Sequence, residues 1–196
     1  FLTSGVFVGN PIRDSITQAP YPDTNSKIKI LIIGGSQGAS LFAKHFPKTF
    51  ASIADKIEVT HQVPEDLIAD TQNQYDQMSI TAEIKPFFTD IFNKITQSHL
   101  VICRSGSSTI SELAVVGRPA LFIPLAISAD SHQLINARAI EQINGGWIIQ
   151  ENELDSDNLS QLVENLVNNP NQLTDAANNI QNFGNHNAAK DLADII

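Results

Sequence analysis

Short runs of β-branched and aliphatic residues alternate with stretches of helical length from Lys27 almost to the end of the chain, and no other feature limits the fold as much. The runs are Ile28 to Ile33, Ile57 to His61, Ile80 to Ile84, Leu100 to Cys103, Ala120 to Ile123 and Trp147 to Gln150. Strands separated by helices must be joined by crossovers, which makes neighbouring strands parallel and covers both sheet faces. The Ile-Leu-Ile-Ile stretch at positions 30 to 33 is apolar without alternation, as in a strand buried on both sides. The expected fold class is therefore α/β, an open, doubly wound parallel sheet. Among the helices, Ser131 to Ile143 carries Leu134, Ile135, Ala139 and Ile140, while Leu159, Leu162, Val163, Leu166 and Val167 have amphipathic spacing.

Punctuation refines the boundaries. Thr109 and Glu112 have capping-box spacing, and their helix is expected to stop at Gly117, with Pro119 just beyond. Asp130 can cap the next helix, which Gly145 and Gly146 separate from the last strand. Residues 1–26, with Pro11, Pro20 and Pro22 in a polar setting, read as a lead-in or linker to a domain over residues 27–196. The Asn- and Gln-rich stretch from Asn165 to Asn187 reads as a low-charge helical region or loosely ordered surface.

Composition excludes several function classes. A formal charge of −9, from 12 Lys and Arg against 21 Asp and Glu, disfavours nucleic acid, whose binding rests on phosphate neutralisation. No apolar run reaches the ~18–20 residues of a membrane span. The single cysteine, Cys103, cannot form an internal disulfide, which suits a reducing cytosol. The histidines at 45, 61, 99, 132 and 186 lack metal-ligand spacing, so no metal is expected. Because the chain opens on Phe1 and its one methionine is Met78, it is expected to be a fragment of a longer protein.

Ligands of open parallel sheets bind beyond the carboxyl ends of the strands, and three segments at such ends carry chemistry. Gly34-Gly35-Ser36-Gln37-Gly38-Ala39 follows the first strong strand; its glycines permit a tight turn, and the next helix offers free N–H groups to an anion. The segment is neither GxGxxG nor a Walker loop, and His61-Gln62 stand where a dinucleotide site needs an acid. In Cys103-Arg104-Ser105-Gly106-Ser107-Ser108-Thr109, small residues at a helix start form a second anion seat, with Arg104 as a nearby positive charge. Thr109 and Glu112 could equally do no more than cap that helix. Ser105 lacks the GxSxG elbow and a convincing Asp-then-His order downstream, which argues against a serine hydrolase. In the third segment, Gln133 and Asn136 share one helical face and suit the hydroxyls of a sugar, although Asp130 and Gln133 could form another capping box.

Gly9-Asn10-Pro11-Ile12-Arg13, GGSQGA at 34–39, CRSGSSTISE at 103–112, Gly117-Arg118-Pro119-Ala120 and HQLINA at 132–137 occur in the order and spacing of the MurG family, which the chain resembles over nearly its whole length. The resemblance covers the C-terminal half of that family's two-domain GT-B arrangement, a Rossmann-like domain. It implies a donor domain of an inverting N-acetylglucosaminyltransferase that converts lipid I to lipid II in peptidoglycan synthesis. UDP-N-acetylglucosamine is the implied ligand. The lipid I acceptor, the membrane-facing patch and the candidate base would belong to a missing N-terminal domain, on a protein peripheral to the cytoplasmic face of the bacterial membrane. The fragment itself would be soluble, would contain no catalytic residue and would not turn the donor over.

By the same resemblance, Ser36 and Gln37 meet the donor near its phosphates and sugar, and the amides of Ser108 and Thr109, beside Ser107, take the α-phosphate. Glu112 accepts from the ribose hydroxyls, Gln133 and Asn136 hold the N-acetylglucosamine, and Arg13 lies at the domain junction near the donor. Backbone groups at Phe87-Phe88, with Phe88 the site residue, read the uracil. No cofactor is implied, and without a carboxylate cluster for Mg²⁺ no obligatory metal. The alternatives are another GT-B enzyme, such as a lipid glycosyltransferase or a UDP-sugar epimerase, and a non-catalytic nucleotide-sugar-binding module.

Overall fold

The computed structural model describes residues 9–13, 15–126, 132–155 and 157–195, with the backbone alone at 36–38. Six parallel strands form one sheet in the order β3-β2-β1-β4-β5-β6. They are β1 (Ile28–Ile33), β2 (Ile57–Gln62), β3 (Thr81–Lys85), β4 (Leu100–Cys103), β5 (Ala120–Phe122) and β6 (Gly146–Ile148). The helices are α1 (Gly35–Thr49), α2 (Ile68–Gln77), α3 (Ile91–Gln97), α4 (Ser107–Val116), α5 (His132–Gln142), α6 (Asp157–Asn168), α7 (Pro170–Phe183) and α8 (Ala188–Ala193). This is the doubly wound α/β architecture, and the strand order reverses between β1 and β4.

Alternate residues of β1 feed two cores. Ile30 and Ile32 pack with Phe42 and Phe46 of α1, Tyr75 of α2 and Leu159, Val163 and Leu166 of α6. Leu31 faces the other way, with Ile110 and Leu113 of α4, Ala137 and Ile140 of α5 and Ile180 of α7. A one-residue slip of β1 would exchange the two sets, so register is strongly specified. Along α1 and its C-cap, Phe42, Phe46 and Phe50 repeat every fourth residue and form one buried stripe; the first two rings meet edge-on at 5.5 Å.

Several boundaries differ by one or two residues from those expected of the sequence: β2 runs on to Gln62, β3 is Thr81–Lys85, β5 stops at Phe122, β6 is Gly146–Ile148 and α5 is His132–Gln142. The last strand begins at Gly146 rather than Trp147, because a Cβ at Gly146 would lie 2.5 Å from the carbonyl oxygen of Ala120; the missing side chain lets β6 close on β5. The Asn-rich stretch takes the helical alternative, as the end of α6 and α7, with Pro170 in the first turn of α7.

Residues 9–13 and 15–26 contain no helix or strand yet are fastened to the domain. Ile16 is buried in the α4-side core, and the Tyr21 hydroxyl donates to the carbonyl of His99 at 2.9 Å. The Arg118 side chain is fully buried, and its guanidinium donates to the carbonyls of Ala19, Pro20, Thr96, Val116 and Gly117 at 2.6–3.3 Å.

Candidate functional site

The sheet reverses its winding between β1 and β4, so α1 and α4 leave from adjacent strand ends toward opposite faces. Both helices therefore present their N-termini to one crevice. Gly34 is the N-cap of α1, and Gly35 follows with φ +59°, a left-handed conformation that a side chain would strain. Gly106 is the N-cap of α4, and neither helix has a side-chain cap. The first backbone N–H groups of a helix have no partner within it, which leaves two uncapped positive dipole ends beside one another.

The α4 cap departs from the expected capping box. Thr109 and Glu112 do not form one: α4 starts at Ser107, its first helical bond runs from the Ile110 N–H to the Gly106 carbonyl, and Thr109 is the third residue of the helix. Gly106, extended at ψ 145°, serves as cap without a side chain. The carboxyl of Glu112 thus stands one turn further in, free of cap duty. Burial raises its pKa, and the nearby Arg13 charge lowers it part of the way back.

A cleft of about 200 Å³ brings Gly34 and Gly35 together with Cys103, Arg104 and Thr109. Gln62, Phe87, Phe88 and Ile91 close its other side. Phe88 is buried, with its ring 5.7 Å from both Lys85 and Lys94 Nζ, whereas Phe87 is 69% exposed at the rim. Ser107 and Ser108 are exposed at the start of α4. Ser36 and Gln37 lie in the first turn of α1, with side chains outside the described residues, as are Asp130 and Ser131 in full.

Arg104, expected of the sequence as a positive charge near the anion seat, lines the cleft and is fixed there by several partners. It pairs with Glu151 at 2.5 Å, donates to the Ile123 carbonyl at 3.0 Å and stacks over Phe42. Its charge is compensated, and its work is to hold the β4–α4 turn against the exit of β5. Nothing in the sequence pointed to Glu151, which lies 47 residues away.

Gln133 and Asn136 do share a face, and that face meets the β4–α4 turn. Gln133 Oε1 accepts from the Leu125 N–H at 3.0 Å, and Asn136 Nδ2 donates to the Ser105 carbonyl at 3.2 Å. Among the described residues this leaves the Gln133 amide nitrogen and the Asn136 amide oxygen unused. Asn136 also lines a second cavity of about 350 Å³, shared with Ser107 and Ser111. The structure therefore collects Thr109 and Phe88 at the first cleft, Ser107 and Asn136 at the second cavity, and Arg13 within electrostatic range of Glu112. Among the described residues no cluster of three or more His, Cys, Asp or Glu side chains could hold a metal, and no helix is long and apolar enough to cross a membrane.

Comparison with known proteins is consistent with this arrangement. Residues 29–195 match the glycosyltransferase family 28 C-terminal domain. The chain is 37% identical over 205 residues to the UDP-N-acetylglucosamine--N-acetylmuramyl-(pentapeptide) pyrophosphoryl-undecaprenol N-acetylglucosamine transferase of Sinorhizobium fredii, covering 100% of this chain and 55% of that protein. The protein of the same name from Caulobacter vibrioides is 36% identical over 96% of this chain and 54% of its own length. The crystal structure of Acinetobacter baumannii MurG superposes with a TM-score of 0.84 at 30% identity, over 90% of this chain and 54% of that one. A UDP-GlcNAc 2-epimerase from Neisseria meningitidis shares the fold alone, at 14% identity and a TM-score of 0.58, over 87% of this chain and 44% of that one. The chain spans about half the length of the curated relatives it matches.

Proposed function

The chain belongs to glycosyltransferase family 28 as a C-terminal domain of the MurG kind, and from that premise we propose that its crevice holds UDP-N-acetylglucosamine as the donor for glycosyl transfer onto lipid I. One observation carries the reading: two uncapped helix N-termini, α1 behind a glycine turn and α4 behind Gly106, meet at the point where the sheet reverses its winding. A diphosphate is the ligand that such a pair of dipole ends favours.

The remaining groups take the rest of the donor in turn. The N–H groups of Ser108 and Thr109 hold the α-phosphate, beside Ser107. Glu112, freed from capping, accepts from the ribose hydroxyls, and the backbone at Phe88 reads the uracil edge. Ser36 and Gln37 reach the phosphates and sugar from the α1 side. The unused donors of Gln133 and acceptor of Asn136 complement sugar hydroxyls, which both give and accept hydrogen bonds. Arg13 stands beside Glu112 near the donor.

Transfer is inverting: the acceptor hydroxyl attacks the anomeric carbon, the glycosidic bond to phosphate breaks, and UDP leaves with its charge stabilised by the two helix ends. The acceptor site, the base and the membrane-facing surface belong to the part of the relatives that this chain does not match. The whole protein then works at the cytoplasmic face of the bacterial membrane, and this chain alone binds donor without turnover.

Calorimetric and thermal-shift titrations with UDP-N-acetylglucosamine, UDP-glucose and NAD test the proposal. UDP-N-acetylglucosamine is expected to give the largest increase in Tm at equal concentration; a larger shift with NAD overturns the assignment. Incubation with lipid I and donor is expected to give no lipid II, and robust product formation would refute the division of labour.

A further inference from the structure

Ser105 is buried to 0% exposure, one residue before the α4 cap, and bonds to α5 in both directions. Its hydroxyl donates to the Gln133 carbonyl at 2.8 Å, and its own carbonyl accepts from Asn136 Nδ2 at 3.2 Å. Gln133 in turn accepts from the Leu125 N–H at 3.0 Å, which ties the same helix turn to the exit of β5. The hydroxyl is buried and donates to a backbone oxygen, which is no general base, so its place in the structure is that of a scaffold contact. Its position makes it the joint between the start of α4 and the first turn of α5.

We propose that Ser105 is a positioning residue that couples recognition of the sugar to recognition of the diphosphate, an inference that rests on the donor reading given above. The diphosphate seat does not depend on Ser105 for its own placement. Arg104 holds the β4–α4 turn separately, through the Ile123 carbonyl and Glu151. Loss of the Ser105 hydroxyl therefore leaves the α4 N-terminus where it is and removes one of the three bonds that fix the first turn of α5, whose Gln133 and Asn136 face the sugar; the bonds of Asn136 to the Ser105 carbonyl and of Leu125 to Gln133 remain. A residue that only stabilised the fold would affect every ligand alike. A coupling residue changes the ratio of affinities for UDP-N-acetylglucosamine and UDP from its wild-type value, since of the two ligands only the first carries the sugar that α5 reads, and the charge of the free β-phosphate of UDP is the same for both proteins.

The test is calorimetric titration of both ligands into wild-type protein and Ser105→Ala, with the Tm of each ligand-free protein as a fold control. In Ser105→Ala, binding of UDP-N-acetylglucosamine relative to UDP is expected to fall by about threefold to tenfold, the equivalent of one lost hydrogen bond. UDP affinity is expected to stay within about twofold, since its seat makes no bond to this hydroxyl. An unchanged ratio, or parallel weakening of both ligands, overturns the proposal. If the alanine variant does not fold, Ser105→Cys, nearly the same size with a weak donor, takes its place: a lowered ratio supports the coupling and an unchanged one overturns it. Failure of wild-type protein to bind UDP-N-acetylglucosamine would refute the donor reading instead, and is distinguished by that control alone.

Discussion

Glu112 stands on the second turn of α4 with its carboxyl pKa raised by burial, despite the opposing charge of Arg13. The ionised form is thus disfavoured in the folded chain, and folding binds the proton more tightly than the unfolded chain does. Stability on this account rises as pH falls from above the raised value to the ordinary carboxylate range of about 4, and is flat below it. Glu112→Gln is therefore expected to raise the Tm of the ligand-free protein at pH 7, with the difference gone near about pH 4. The same substitution is expected to weaken UDP binding by about 1–3 kcal/mol, because a neutral amide replaces a charged acceptor. Stability and affinity then move in opposite directions at one residue, which thermal melts and calorimetry can read on the same sample. His61 titrates with the other sign. Burial lowers its pKa to about 3, and its Nδ1 meets the Tyr75 hydroxyl at 2.9 Å. The stability it lends is complete above about pH 6.5 and is lost as the pH falls toward the depressed value. His61→Phe is expected to cost about 1–3 kcal/mol at pH 7, through the orphaned Tyr75 hydroxyl. Its urea midpoint should depend less on pH between about 6.5 and 4 than that of wild type.

At the scale of elements, the two ends of α4 show what local chemistry can and cannot announce. Its C-terminus is written in the residues: Gly117 adopts φ +75° and ψ 50°, and the Arg118 N–H reaches the Leu113 carbonyl at 2.9 Å in a closing turn. Gly117→Ala is expected to destabilise by about 1–2 kcal/mol in urea titration from the left-handed backbone alone. The new Cβ would lie 2.6 Å from Gln181 Nε2 on α7, the far end of a flexible side chain that can swing aside, so the backbone sets the cost. The N-terminus is ambiguous in the sequence, because capping-box spacing at Thr109 and Glu112 is satisfied equally by a helix that has already begun. The deciding fact is the extended backbone at Gly106, which no residue pattern encodes. β4 was legible residue for residue, being a four-residue apolar run between polar neighbours. β6 starts one residue before its apolar run, because a glycine that permits close approach to Ala120 looks like a turn glycine in the sequence.

Across the whole molecule, Arg118 joins parts of the chain that are far apart in sequence. Its guanidinium holds carbonyls of the segment at 19–20, the end of α3 and the end of α4, and lies 5.5 Å over the Tyr21 ring. Burial lowers its pKa to about 10, which still leaves it charged at neutral pH. Arg118→Met is expected to cost at least about 2 kcal/mol in urea, since several carbonyls lose a charged donor at once. Limited proteolysis should then cut within residues 15–26 before the domain unfolds. Arg118→Lys is expected to recover only part of the loss, because one ammonium cannot span the positions that a planar fork reaches.

The alternation of apolar runs and helical stretches was enough to set the parallel sheet and its two covered faces, because backbone pairing and burial leave few ways to arrange such a chain. Residue order also placed the glycine turn, the α4 start and the amide-bearing helix at strand ends, since a parallel sheet sends every strand's carboxyl end to one edge. What those residues touch was decided only in three dimensions. Arg104 is neutralised by Glu151, Gln133 and Asn136 each give one polar atom to the scaffold, and Ser105 lies buried between two helices. Local sequence carries propensity and periodicity, but hydrogen bonds between distant segments exist only after the chain has closed and excluded the water that would otherwise satisfy those groups.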